Sequence, residues 1–289
     1  MEDNYIFKEV KNVNFQAIKH FLSTGGDVNV NNAINNSLLH ELASMAVPEE
    51  TFRQQIVSLA HLLIKSGICI EHQNKWGVSA VYEAVSSGFI ELIELFLESN
   101  IKLLDHISLN EFLFYNWPRH PSQKQRTDFP KVLTKLLSEQ PNLEVVNEQY
   151  RNFTALQIAC KEGASQAILQ LLKAGALPNV GSENSVSPLT LLCHCSVNAQ
   201  REYYEAIDAL LNAGADPNFL SNDNNKFESS TSALIRSVIY GGKRKEVVER
   251  LLSAGANVHY QDGKGHDALY YAKQSKREDL VRLLTTYGG

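Results

Sequence analysis

Four times in this chain a glycine placed to end one helix is followed twelve positions later by a small residue able to start another. The pairs are Gly25 and Ser37, Gly67 and Ser79, Gly175 and Ser187, and Gly255 and Asp267. A constant interval between a helix end and the next helix start is the length of a connector. A connector that recurs at one length means stacked copies of a unit, which is a different object from a closed enzyme core. The chain reads as a repeat array.

The residues around each connector explain how a copy is built. Ser79, Thr154, Ser187 and Ser232 stand where a hydroxyl caps the exposed N–H groups of a first helix. Pro188 falls at the first helical position, where a missing N–H costs nothing. Leu171-Leu172 and Leu251-Leu252 follow Ile168 and Val247-Val248 at helical spacing, giving a second helix one apolar stripe. Gly175, Gly214 and Gly255 supply the left-handed residue that ends it, and Asn100 takes that place in another copy. A pair of helices this short cannot bury its stripe alone, so neighbours must stack.

Two signatures alternate along the chain. One is Leu171-Leu172-Lys173-Ala174-Gly175-Ala176-Leu177-Pro178-Asn179, with counterparts at Phe21–Asn29, Leu210–Asn218 and Leu251–His259. The other is Ser37-Leu38-Leu39-His40-Glu41-Leu42-Ala43, with counterparts beginning at Ser79, Thr154 and Ser187. Together they resemble the ankyrin repeat, whose pattern reads G-x-T-P-L-H-x-A-A and then I-V-x-x-L-L-x-x-G-A-D-V-N. The resemblance covers nearly the whole chain. It implies an all-α ankyrin-repeat solenoid of about seven to eight stacked helix-turn-helix units, some degenerate, joined by β-turn or hairpin connectors. One array over 1–289 is expected, with an N-terminal capping unit at about 3–30 and repeats at about 35–70, 77–104, 108–147, 152–180, 185–220, 230–260 and 265–289.

Anchor intervals of 33 residues, from 67 to 100 and from 255 to 288, equal an uninterrupted ankyrin unit. Longer intervals carry polar insertions at Pro48-Glu49-Glu50, Asn198–Arg201 and Ser221–Phe227, which belong on the surface. The stretch 108–147 departs most. Its first helix is expected near Leu109–Tyr115, Pro118 and Pro121 then forbid continuation, and a second helix resumes over Lys131–Leu137. A degenerate repeat with a long loop is one reading, and an interruption dividing the array into two rigid halves is the other.

A net charge of −5 argues against a nucleic-acid backbone as the main ligand. Met1–Tyr5 shows no basic region leading into an apolar run, and no stretch is long enough to span a bilayer. Four cysteines without framework spacing suit a reducing compartment. The expectation is a soluble, cytoplasmic protein without membrane insertion.

Candidates for chemistry are few. Cys193-His194-Cys195 is the one local cluster of metal-type ligands, yet it lacks the spacing of closed zinc sites. Cys160 and Cys193 occupy the second small position of a first helix, where packing alone explains a thiol. No nucleophile has a paired base, and the glycines cap helices rather than cradle phosphate. No catalytic residue, cofactor or metal is expected. Gly288-Gly289 reads as the closing pair of a repeat, as Gly25-Gly26 does, and the polar helix before it suits a terminal cap.

Ankyrin-like arrays bind through connector tips and the exposed side of the first helices. Carried over by resemblance, that surface takes in Lys75 and Trp76, then Tyr150, Arg151, Phe153, Lys161 and Glu162. Further along it takes in Glu183, Asn184 and His194, then Glu228 and Tyr240, and lastly Lys264 and His266. Aromatics beside arginine are the usual composition of binding hot spots. The bland alternative is that Trp76 and Phe153 fold back over neighbouring connectors as packing. Trp117 beside Arg119 forms a second candidate patch. The expected function is a non-catalytic protein–protein interaction module, monomeric, taking a protein partner and no nucleic acid. The alternative is a targeting domain of a larger enzyme whose catalytic part lies outside this chain. Asn-rich, eroded copies with irregular insertions also look like the ankyrin effectors that intracellular bacteria secrete into a host cell to bind a host protein.

Overall fold

The computed structural model describes residues 2–45, 50–116, 132–139, 141–179, 186–195, 201–219, 231–240 and 245–288. The chain divides into two compact units, Met1–Glu139 and Gln140–Gly289, and each is described by itself. The division falls inside the stretch 108–147.

In the first unit, α1 (Glu2–Lys11) packs on α2 (Phe15–Ser23), α3 (Leu38–Ala43) on α4 (Glu50–Lys65), and α5 (Ala80–Ser86) on α6 (Ile90–Glu98). A 3-10 turn at Leu103–Asp105 leads to α7 (Leu109–Asn116), and α8 spans 132–138. First helices contact first helices in the order α1, α3, α5, α7, and α4 packs on α6. Ile56, Leu59, Ala60 and Leu63 of α4 are buried at helical spacing, so one stripe of the second helix faces the pair behind it.

The second unit opens with α9 (Leu143–Asn147) and a two-residue hairpin, β1 (Gln149–Tyr150) antiparallel to β2 (Phe153–Thr154). Its turn residues Arg151 and Asn152 have φ of 51° and 67°, the doubly left-handed turn that matches strand twist. Four helix pairs follow: α10 (Ala155–Lys161) with α11 (Ser165–Lys173), α12 (Pro188–His194) with α13 (Arg201–Asn212), α14 (Ala233–Tyr240) with α15 (Lys245–Ser253), and α16 (Ala268–Gln274) with α17 (Glu278–Gly288). Within this unit α10, α12, α14 and α16 contact one another in sequence, and so do α11, α13, α15 and α17. Two helical layers result, with Leu171, Leu210 and Leu251 fully buried between them. Each contributes about 1.5–3 kcal/mol of hydrophobic stabilisation.

The expected caps are present. The side chains of Ser79, Thr154, Ser187 and Asp267 accept from the N–H three residues on, in Tyr82, Gln157, Thr190 and Tyr270. Ser232 does the same for Ile235 at 3.3 Å. Second helices end at Gly67, Gly175, Gly214 and Gly255 with φ between 88° and 91°, and at Asn100 with φ 59°. In each case the next residue's N–H returns to a carbonyl five back, as from Ala176 to Leu171 at 3.0 Å and Ala215 to Leu210 at 2.9 Å, closing a Schellman-type end. Gly288 differs from the expectation, because it remains the last residue of α17 and does not turn left-handed. That helix buries Leu280 and Leu284 while Glu278, Asp279 and Arg282 stay toward solvent.

Two polar devices link neighbouring pairs. The first lies at the third residue of the first helix. His40 accepts through Nδ1 from the Ser37 N–H at 3.1 Å and donates through Nε2 to the Val78 carbonyl at 2.9 Å. Gln157 reproduces this pattern. Its Oε1 accepts from the Thr154 N–H at 2.8 Å, and its Nε2 donates to the Val186 carbonyl at 2.9 Å. The second device is an asparagine placed four residues after a helix-ending glycine or, for Asn147, at the last residue of α9. Asn29 donates to the Gly67 carbonyl at 3.3 Å and accepts from the Cys69 N–H at 2.8 Å. Asn147, Asn179 and Asn218 make the same pair of bonds to Gly175 and Leu177, Gly214 and Asp216, and Gly255 and Asn257.

Candidate binding surface

The connectors decide which side chains reach outward. In the first unit Asn74 is buried, and its Oδ1 accepts from the N–H of Trp76 at 2.9 Å and of Val78 at 3.1 Å. Its Nδ2 donates to Asn36 Oδ1 of the preceding connector at 3.0 Å, and the Lys75 N–H donates to the Ile34 carbonyl at 3.2 Å. The backbone of this tip is therefore tied down on both sides. Trp76 nevertheless remains 63% exposed, with Lys75 Nζ 4.5 Å from the ring centroid. It does not fold back as connector packing. A cation over an indole is worth about 0.5–1 kcal/mol at an exposed site, enough to bias the rotamer and too little to bury the ring.

In the second unit the hairpin register sets Tyr150 opposite Phe153, both half-buried. Arg151 lies over the Tyr150 ring at 5.4 Å, and Lys161 Nζ over the Phe153 ring at 5.0 Å. Four of the residues expected at the surface are thereby gathered in one cluster. Glu162, half-buried, caps the end of α10 beside them. His194 and Tyr240 form a second cluster, with ring centroids 4.2 Å apart. Sequence reasoning missed the residue behind it. Arg236 is only 5% exposed and sends Nη1 to His194 Nδ1 at 3.0 Å. A donating guanidinium requires an unprotonated Nδ1, so a neutral imidazole there carries its proton at Nε2. The one hint in the sequence was that Arg236 precedes Tyr240 by four residues, on the same side of a helix.

The last connector repeats the construction of the 74–78 tip with aspartate in place of asparagine. Asp262 Oδ1 accepts from the N–H of Lys264 at 2.9 Å and of His266 at 3.0 Å, and Tyr271 donates to Oδ2 at 2.5 Å. Burial pushes the Asp262 carboxyl up, but the hydrogen bonds from Tyr271, His266 and Lys264 outweigh it and hold the group below the ordinary aspartate value. Tyr271 is pushed up to about 12, first by burial and then by its bond to Asp262. The His266 ring stacks on Tyr270 at 3.7 Å with the planes 6° apart. Tyr270 and Tyr271 escaped the sequence reading because nothing in their spacing marks a surface residue. Trp117, Arg119, Glu183, Asn184 and Glu228 lie outside the described residues.

Cys160 and Cys193 are buried, as their place in the first helices requires, and burial pushes the Cys160 thiol well up. No group of three or more His, Cys, Asp or Glu side chains suited to a metal ion occurs among the described residues. Among those residues no helix is long and apolar enough to cross a membrane.

Paired short helices, glycine-ended and joined by connectors of this kind, define a helical repeat class. Residues 194–289 match the family model for ankyrin repeats (3 copies). That stretch carries ankyrin repeats, and the pairs upstream carry the same capping and asparagine devices. No curated protein matches it. Ankyrin repeats are generally protein–protein interaction modules, and the family is typically non-catalytic.

Proposed function

We propose that this protein is a non-catalytic interaction module that captures a protein partner on its connector tips and on the exposed side of its first helices. The observation that carries the reading is Trp76. A large apolar side chain stands 63% exposed on a backbone whose polar groups are fixed by Asn74 and by the preceding connector. A rigid, presented aromatic loses little entropy on binding, which is the property of a hot-spot anchor. The Tyr150–Arg151–Phe153–Lys161 cluster supplies the same chemistry in the second unit.

The test is capture from cytosol with the intact chain and with Trp76→Ala and Arg151→Ala variants, the bound partner being quantified. A loss of about tenfold with unchanged melting supports the reading, and undiminished capture by both variants overturns it. We extend the proposal to a bacterial effector acting on a host protein, on the strength of the Asn-rich, eroded copies with irregular insertions. A translocation reporter fused to the chain that never reaches the host cytosol overturns that extension.

A further inference from the structure

We propose that this protein forms a domain-swapped dimer in which two copies exchange α1, with Asn12–Asn14 as the hinge. The partner is a second copy of this chain, and the surface it takes is the face of α3 that α1 covers in the structure. The inference goes beyond the interaction reading and does not involve Trp76 or Arg151.

The turn from α1 to α2 is built like three others. In each, one N–H returns to a carbonyl three back and the next N–H to a carbonyl five back, as from Val13 to Val10 at 2.9 Å and from Asn14 to Glu9 at 2.9 Å. The first of these two residues must take positive φ. Gly88 and Gly163 do so at 70° and 68° without strain, and Lys276 does so at 53°. Val13 stands in the same place with φ 52°, the one β-branched residue in that region among the described residues. A β-branched side chain there is an outlier, disfavoured by about tenfold against right-handed backbone.

Opening the turn removes that strain. The hinge holds neither glycine nor proline, so α1 and α2 can run on as one helix over residues 2–23, roughly 33 Å long. Straightening carries α1 off its own α3 and towards another copy. In the closed form Ile6, Phe7 and Val10 of α1 are buried, and so are Leu38, Leu39 and Leu42 of the α3 on which it packs. Lys11 Nζ reaches the buried Glu41 carboxylate at 3.1 Å. The α1 of a second copy restores each of these contacts, which selects it over an unrelated partner. The exchange is opposed by the bond from Asn14 Nδ2 to Glu9 Oε2 at 2.6 Å, by the Asn14 cap on the Ala17 N–H, and by the entropy lost on association. Short hinge loops under strain are where such exchanges arise.

The experiment is light scattering on the full chain after size separation, from about 1 μM to about 1 mM, each sample being refolded from urea at its final concentration. The expected result is a dimer whose share grows with concentration. Val13→Gly and Val13→Asn relax the closed turn, and opening two chains gives up that relief twice. Each variant is therefore expected to weaken dimerisation by about 100-fold. A parent that stays monomeric throughout, or a dimer equally strong in both variants, overturns the proposal. Lys11→Glu and Glu41→Lys test the exchange itself. Each alone sets like charges together, and only a swapped dimer of one with the other restores two opposite pairs. Refolded together, the two are expected to give more heterodimer than the statistical half in native mass spectrometry. A statistical mixture overturns the exchange.

Discussion

Gln157 donates through Nε2 to the carbonyl of Val186 at 2.9 Å, reaching from one helix pair to the connector of the next. Its Oε1 meanwhile accepts from the N–H of its own cap residue, Thr154. His40 does both tasks with an imidazole, between Ser37 and Val78. An amide and an imidazole share the acceptor-then-donor geometry that the site requires. Replacing Gln157 with Leu leaves a buried N–H and a buried carbonyl without their partner, at about 1–3 kcal/mol. Gln157→His keeps both bonds. In urea unfolding the Leu variant is expected to lower the midpoint with an unchanged slope, and the His variant to stay near the parent. Equal midpoints for all three would show that the linkage contributes nothing.

The asparagine clamp supports a second prediction. Asn179 holds the Gly214 carbonyl at 2.7 Å and the Asp216 N–H at 2.8 Å. Asn179→Ala removes both bonds at a partly solvated place, where each is worth about 0.5–1.5 kcal/mol. The local readout is hydrogen exchange, in which the Asp216 amide is expected to lose protection before the amides of α13 do. Unchanged exchange at Asp216 would count against the clamp.

Acid stability follows from His40. Burial lowers its pKa below the ordinary histidine value, with the bond to Val78 opposing part of that shift. The unfolded chain therefore takes up the proton first as pH falls. The stabilisation is complete above the ordinary value and is lost as pH drops from it towards the lower folded value. A protonated Nδ1 also can no longer accept from Ser37. Melting temperature is expected to fall through mildly acidic pH in the parent and to fall less in His40→Gln, which copies Gln157 and does not titrate. Parallel pH profiles for the two proteins would exclude His40 as the cause.

Much of the fold was legible because its determinants are local. A hydroxyl at Ser79 or Thr154 and a glycine at Gly175 or Gly255 act on neighbours within five residues, so their spacing announces helix ends directly. The site was legible in part. Trp76, Tyr150 and Phe153 reach the surface or its edge, and the cations over their rings lie one to eight residues away in sequence. Arg236 was not legible, because its partner His194 is 42 residues away and a buried guanidinium has no local signature. Tyr271 was hidden for a related reason, since its role depends on Asp262 in the loop before its helix. Gly288 shows the opposite failure: its spacing fits a helix-ending glycine, yet α17 continues through it.

The asparagine clamp grips only main-chain atoms of the pair that follows: a glycine carbonyl and the N–H two residues on. Nothing in that grip depends on which side chains the next copy carries. Copies can thus drift, lengthen their loops or change their outward face while the joint between them stays the same. Evolution can rewrite what such a chain recognises one module at a time, without having to reinvent how the modules fasten.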